Sequence, residues 1–89
     1  MKAIVTVVGK DAVGIIASVC VQLASYNINI LDISQTVMQG YFTMMMVVDV
    51  SQSTYSVVEL AQKLEQRGKE MDLSIRLQRE EIFQAMHRV

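Results

Sequence analysis

The sequence is short of nearly everything from which a catalytic or metal centre is assembled. It has one cysteine and one histidine in 89 residues, so it can close no internal disulfide and build no multi-cysteine metal cluster. His87 has no local set of further ligands. No Ser–His, Cys–His or carboxylate pair stands at a recognisable catalytic spacing. The chain therefore reads as non-enzymatic, with neither cofactor nor metal. Charge is scarce too. Only 19% of residues are charged, the formal net charge is -1, and Lys and Arg are scattered, which removes the electrostatic footprint of a nucleic-acid binder. The apolar stretch after Met1 and Lys2 breaks at Gly9-Lys10, too short for the core and cleavage site of a signal peptide. No later run approaches a membrane span. A lone thiol suits a reducing compartment, so the expected location is the cytoplasm.

Apolar side chains are plentiful, at 52% of the chain, well beyond what a disordered chain carries. The length suits one domain, residues 1–89, with residues 80–89 as a C-terminal extension. A domain of this size buries only about 60% of the surface its unfolded chain exposes, so a partner that covers more would add stability. A second copy is the simplest such partner.

The apolar pattern orders the elements. Residues 2–8 are dominated by Ile, Val and Thr and end at Gly9-Lys10-Asp11, a buried strand running into a turn. From residue 13 to 26, Ile16, Val19, Cys20 and Leu23 recur at helical spacing. Cys20 reads there as a buried structural thiol. Asn27 can close that helix in a left-handed conformation. A second strand over residues 28–38 meets Gln39-Gly40, a turn, and then Phe42, Met44, Met46, Val48 and Val50 recur at period two, so the two strands pair as a hairpin. Met44-Met45-Met46 alternates between faces and reads as packing rather than metal capture. Ser56-Val57-Val58-Glu59 has capping-box spacing and opens a second helix. Val57, Leu60, Ala61 and Leu64 form its apolar stripe, and Gly68 its stop or near-stop. Leu73, Ile75 and Leu77 alternate with Ser74, Arg76 and Gln78, as in an edge strand with one wet face. Ile82, Phe83 and Met86 follow at helical spacing, which predicts a short C-terminal helix docked on this or a neighbouring chain.

The order β-α-β-β-α-β with short connections specifies an α+β, ferredoxin-like sandwich: a four-stranded antiparallel sheet, strands one and three central, with two helices on one face. The other face is left needing a cover. Acylphosphatases and RNA-binding RRM domains share the plan. The first loop here lacks the Arg that phosphate chemistry of the former kind needs. Tyr41 and Phe42 alone do not make the aromatic, basic sheet of the latter.

Gly9-Lys10-Asp11-Ala12-Val13-Gly14-Ile15 after the first strand, with Asn27-Ile28-Asn29-Ile30 opening the second, resembles the ACT-domain pattern. Asn29-Ile30-Leu31-Asp32-Ile33-Ser34-Gln35, Tyr41-Phe42-Thr43-Met44 and the ending Met86-His87-Arg88-Val89 resemble an uncharacterised family of small stand-alone bacterial ACT proteins, related to the glycine cleavage system transcriptional repressor. Ala12 departs from the pattern, which usually has a basic residue there. The resemblance implies a regulatory domain that binds an amino acid or similar small polar ligand at a dimer interface. It implies a site made by Lys10, Asp11, Ala12, Val13, Gly14 and Ile15 of one chain and Asn29 of its neighbour. Free N–H groups at a helix start suit a carboxylate, Asp11 suits an ammonium, and Gly14 allows close backbone approach. Asp11 fits a helix cap equally well. A ligand-free interaction module, joining chains or docking a client protein, remains the alternative.

Overall fold

The computed structural model describes residues 1–10 and 14–82. Its elements are β1 (Lys2–Lys10), α1 (Ile15–Ser25), β2 (Asn29–Met38), β3 (Tyr41–Asp49), α2 (Val57–Glu70) and β4 (Leu73–Arg79). They make a four-stranded sheet in the order β2-β3-β1-β4, antiparallel at every pairing. The expected ferredoxin-like plan, with β1 and β3 central and β4 at one edge, is the plan observed. No helix among the described residues is long and apolar enough to cross a membrane.

Side-chain alternation divides the sheet into two faces. Ala3, Val5 and Val7 of β1, Phe42, Met44, Met46 and Val48 of β3, and Ile75 and Leu77 of β4 share a core with Ile15, Val19 and Leu23 of α1 and Leu60 and Leu64 of α2. The other face carries Ile4, Thr6 and Val8 opposite Val47, Met45 and Thr43, and no helix of the described residues covers it. Cys20 is only partly buried, a correction to the reading of a buried thiol: Val19 takes the core-facing position on α1, and its neighbour, about 100° round the helix, falls on the flank.

Backbone conformation sets where elements end. Asn27 takes φ 59° directly after α1, as the sequence predicts. Gln39 and Gly40 both have positive φ, as a two-residue hairpin turn requires when its twist matches that of the strands. Gly68 is the expected near-stop rather than the stop itself: α2 continues two residues further to Glu70, and the left-handed residue is Asp72, φ 58°. Gly68 is buried inside the helix because a Cβ there would lie 2.7 Å from the carbonyl oxygen of Leu73. It lets α2 lie close on β4. The expected capping box is present, with Ser56 Oγ accepting from Glu59 N–H at 3.2 Å and Glu59 Oε1 accepting from Ser56 N–H at 3.0 Å. Beside it the ring of Tyr55 meets Tyr26, the C-cap of α1, edge-on at 5.6 Å, and Lys63 Nζ sits 4.6 Å from the Tyr55 ring centre. These contacts join the end of one helix to the start of the other.

Strand β2 is the exception to the tidy layering. A bulge between Ile30 and Asp32 shifts its register, which keeps Asp32 on the open face and returns Ile33 to the helix side. Yet Ile33 and Val37 stay exposed although they face the helix layer, Val37 at 56%. The strand is wet on both faces from Leu31 to Met38. Residues 80–82 form a helical turn with Ile82 half-exposed. The remainder of the expected C-terminal helix, with Phe83 and Met86, lies outside the described residues.

Two stability measurements follow from this packing. Gly68→Ala should lower stability by about 1–3 kcal/mol, the usual range for overpacking, although alanine favours helix at an unconstrained site. Chemical denaturation measures it, and an unchanged or raised midpoint would mean that α2 is free to lift off β4. Ser56→Ala should cost about 0.5–2 kcal/mol. Hydrogen bonds from Ser56, the backbone N–H first, hold the Glu59 carboxyl below its ordinary value of 4.5. A depressed folded value gives stability that is complete above about pH 5 and is lost as pH falls through the folded value. Glu59→Gln should therefore flatten the acid limb of the stability curve below pH 5 and leave the neutral region's slope unchanged.

Candidate functional site

The loop from β1 to α1 ends in a residue that only glycine suits. Gly14 has φ 86° in the left-handed region and is the N-cap of α1, with no side-chain hydrogen bond capping the helix. Its carbonyl oxygen accepts the first intrahelical bond, from Ser18 N–H at 2.9 Å. A Cβ at Gly14 would meet nothing within 4 Å among the described residues, so what the fold demands of it is its backbone angle. Ile15 is buried in the core and pins the helix start. No acidic residue lies in the first turn. The positive end of α1 is thus anchored by an apolar side chain and left without a carboxylate of its own among the described residues, which is the condition for an anion to bind there.

Of the other expected residues, Lys10 and Asn29 are described, and both are directed or placed away from this point. Asp11, Ala12 and Val13 lie outside the described residues. Lys10 stands opposite Tyr41 at the end of β1, and by alternation it faces the open side of the sheet, away from the helix layer. Asn29 pairs with Asp49, which in turn pairs with Lys2. It therefore sits at the opposite end of the sheet from Lys10, and the 11-residue length of α1, about 16 Å at 1.5 Å per residue, separates that end from Gly14. Within one chain Gly14 and Asn29 cannot touch one ligand.

The Asn29 end has its own charge arrangement, which the sequence does not announce. Asp49 Oδ1 accepts the Ser51 N–H at 2.9 Å and faces the N-terminal ammonium of Met1 at 3.3 Å. Hydrogen bonding from Ser51, and then the ammonium, hold the Asp49 carboxyl below its ordinary value. Val50 N–H donates to the Met1 carbonyl oxygen at 3.0 Å. Asp49 is thus engaged in fixing the chain terminus beside β3, and Asn29 is the exposed polar group at that end of β2.

Several surface depressions of similar size lie elsewhere. One of about 470 Å³ runs along β4 under α2, over Ala61, Leu73, Ile75 and Leu77. Another of about 440 Å³ sits at the β2–β3 hairpin over Thr36, Met38, Gln39, Tyr41 and Thr43. The sequence reading named neither.

Comparison with known proteins agrees with the fold and extends it. The family model described as ACT domain matches residues 2–78. A UPF0237 protein of Listeria innocua is 54% identical over 89 residues, the whole of both chains. Among solved structures, an ACT domain protein from Streptococcus pneumoniae superposes with a TM-score of 0.83 at 46% identity, covering 98% of each chain. A putative glycine cleavage system transcriptional repressor superposes with a TM-score of 0.75 at 25% identity, over 86% of this chain and 44% of that one. With the strand order, the left-handed glycine at the helix start and a match over nearly the full length, the chain belongs to the ACT domain family, a class of small regulatory ligand-binding domains.

Proposed function

We propose that this chain is a regulatory domain that binds an amino acid or similar small polar ligand between two of its copies, in the cytoplasm, and has no catalytic role. The observation that carries the reading is the bare β2 edge combined with the separation of Gly14 from Asn29. Two β2 strands laid antiparallel about a two-fold axis normal to the sheet would run on as one continuous sheet. That operation moves Asn29 of the second copy to the Met38 end of the first, the end at which β1 runs into α1. A ligand carboxylate then takes the uncapped N–H groups at Gly14 and Ile15, Asp11 takes an ammonium, and the neighbour's Asn29 supplies amide hydrogen bonds. Leu31, Ile33 and Val37, exposed in one copy, are covered in the pair. The same exposed apolar row would equally serve a client protein, and this is the reading of a ligand-free interaction module.

Sedimentation at micromolar concentration should show a dimer or larger species. A strictly monomeric protein would remove the site. Calorimetry against the common amino acids then separates the two readings. Affinities between millimolar and micromolar correspond to about 4–8 kcal/mol, and silence across the panel with an intact dimer favours the interaction module. Once a ligand is found, Asn29→Ala and Asp11→Ala should each weaken it by roughly 0.5–3 kcal/mol while melting barely moves. Gly14→Val should lower both stability and affinity. The stability loss there comes from forcing a β-branched residue to positive φ, about 1–2 kcal/mol, and Gly14→Ala should show most of the same loss, since no atom crowds the position.

A further inference from the structure

The parity of β1 takes Lys10 out of the helix-start site and puts it on the open face, where two cross-strand rows meet. In one row Val8 faces Thr43, which faces Thr36. In the next Lys10 faces Tyr41, which faces Met38. The Gln39-Gly40 turn closes the end, and the depression over these strands has a volume of about 440 Å³, within the usual size of small-molecule sites. Its floor is the directly opposed pair of threonine hydroxyls. Its flanks are Met38, 68% exposed, and Tyr41, 57% exposed, a polarisable thioether and an aromatic ring. Beside Tyr41, on β1 and outside that lining, Lys10 has no ion-pair partner among the described residues.

We infer that this hairpin depression is a second ligand site, separate from the one proposed between copies, and that it takes a small organic carboxylate with an apolar or aromatic body. Each part of that class has its reason. One ammonium gives one strong charge-assisted hydrogen bond to an anion. The two hydroxyls can donate to the same carboxylate, since each carries one rotatable O–H. There is no cradle of backbone N–H groups and no guanidinium fork, so a carboxylate suits the site better than a phosphate ester. Met38 and Tyr41 would otherwise stand in water, and an apolar body laid against them recovers that surface. Pairing of two β2 edges leaves this face accessible, so both sites can be filled in one assembly.

The test is chemical-shift mapping on the full chain with phenylacetate as the probe, and with acetate and benzyl alcohol as its two halves. Phenylacetate should give saturable shifts at Thr36, Gln39, Tyr41 and Thr43. Each half alone should need a concentration at least about tenfold higher, because charge and ring contribute separately. Lys10→Gln and Tyr41→Ala should each raise the half-saturation concentration about five- to tenfold. Lys2→Gln, which removes the same charge at the far end of β1, should leave it unchanged. Shifts that rise linearly without saturating, or a Lys10→Gln variant that binds as the wild type does, would overturn the second site. Saturable shifts confined to Gly14, Ile15 and Asn29 would also overturn it while supporting the site between copies. Loss of that other site, read by sedimentation and amino-acid calorimetry, would leave the hairpin result standing.

Discussion

The close approach of α2 to β4 at Gly68 is the contact on which the rest of the arrangement turns. A helix is about 10 Å across and strands are about 4.8 Å apart, so two helices can cover four strands only if they are centred over the sheet. Here α2 is drawn to the β4 edge, where the missing side chain lets its backbone lie 2.7 Å, measured from an added Cβ, above the Leu73 carbonyl. At the far edge Ile33 and Val37 of β2 point toward the helix side and stay 43% and 56% exposed. A domain this small has little further core with which to make up the lost burial. A partner that covered β2 from outside would stabilise the fold through mass action, and assembly and folding would then be linked.

Much of this was legible in the residues, and for stated physical reasons. Period-two apolar runs at Phe42–Val50 and Leu73–Leu77 mark strands buried on one face, and a hydroxyl three residues before Glu59 marks a helix start, because both patterns depend on neighbours in sequence. Gly68 marks the end of α2 to within two residues, but a glycine near the end of an apolar stripe serves either as a left-handed stop or as a point of close approach, and only the contact with Leu73 decides between them. At Gly14 the deciding feature is the backbone angle, φ 86°, which the residue type permits but does not announce.

The candidate site was legible as a set of residue types and illegible as a place. Seven consecutive residues, Gly9 to Ile15, look like one loop, yet strand parity sends Lys10 to one face of the sheet while Ile15 goes into the core on the other. Asn29 stands four residues after the end of α1 at Ser25 and gives no sign that it lies at the opposite end of the sheet from the loop with which it is grouped. Register carries that information, and register is fixed by non-local pairing and by the Gln39-Gly40 turn. The hairpin depression was missed although its lining falls within Thr36 to Thr43, because only the register of β2 on β3 sets Thr36 opposite Thr43 and Met38 opposite Tyr41 on the open face.

Separation of the helix start from Asn29 has a thermodynamic consequence beyond geometry. A ligand that needs groups from two copies binds the pair and not the single chain, so occupancy favours pairing, and pairing by the same factor favours occupancy. Apparent affinity then depends on protein concentration, and a chain held near its dimerisation midpoint responds most steeply. The hydrogen bonds of an exposed edge strand contribute little individually, because water competes for the same groups. In the proposed assembly, the weakness of a bare β2 edge alone would leave room for a small ligand to shift the balance. A more tightly self-sufficient edge would pair with or without ligand and report nothing.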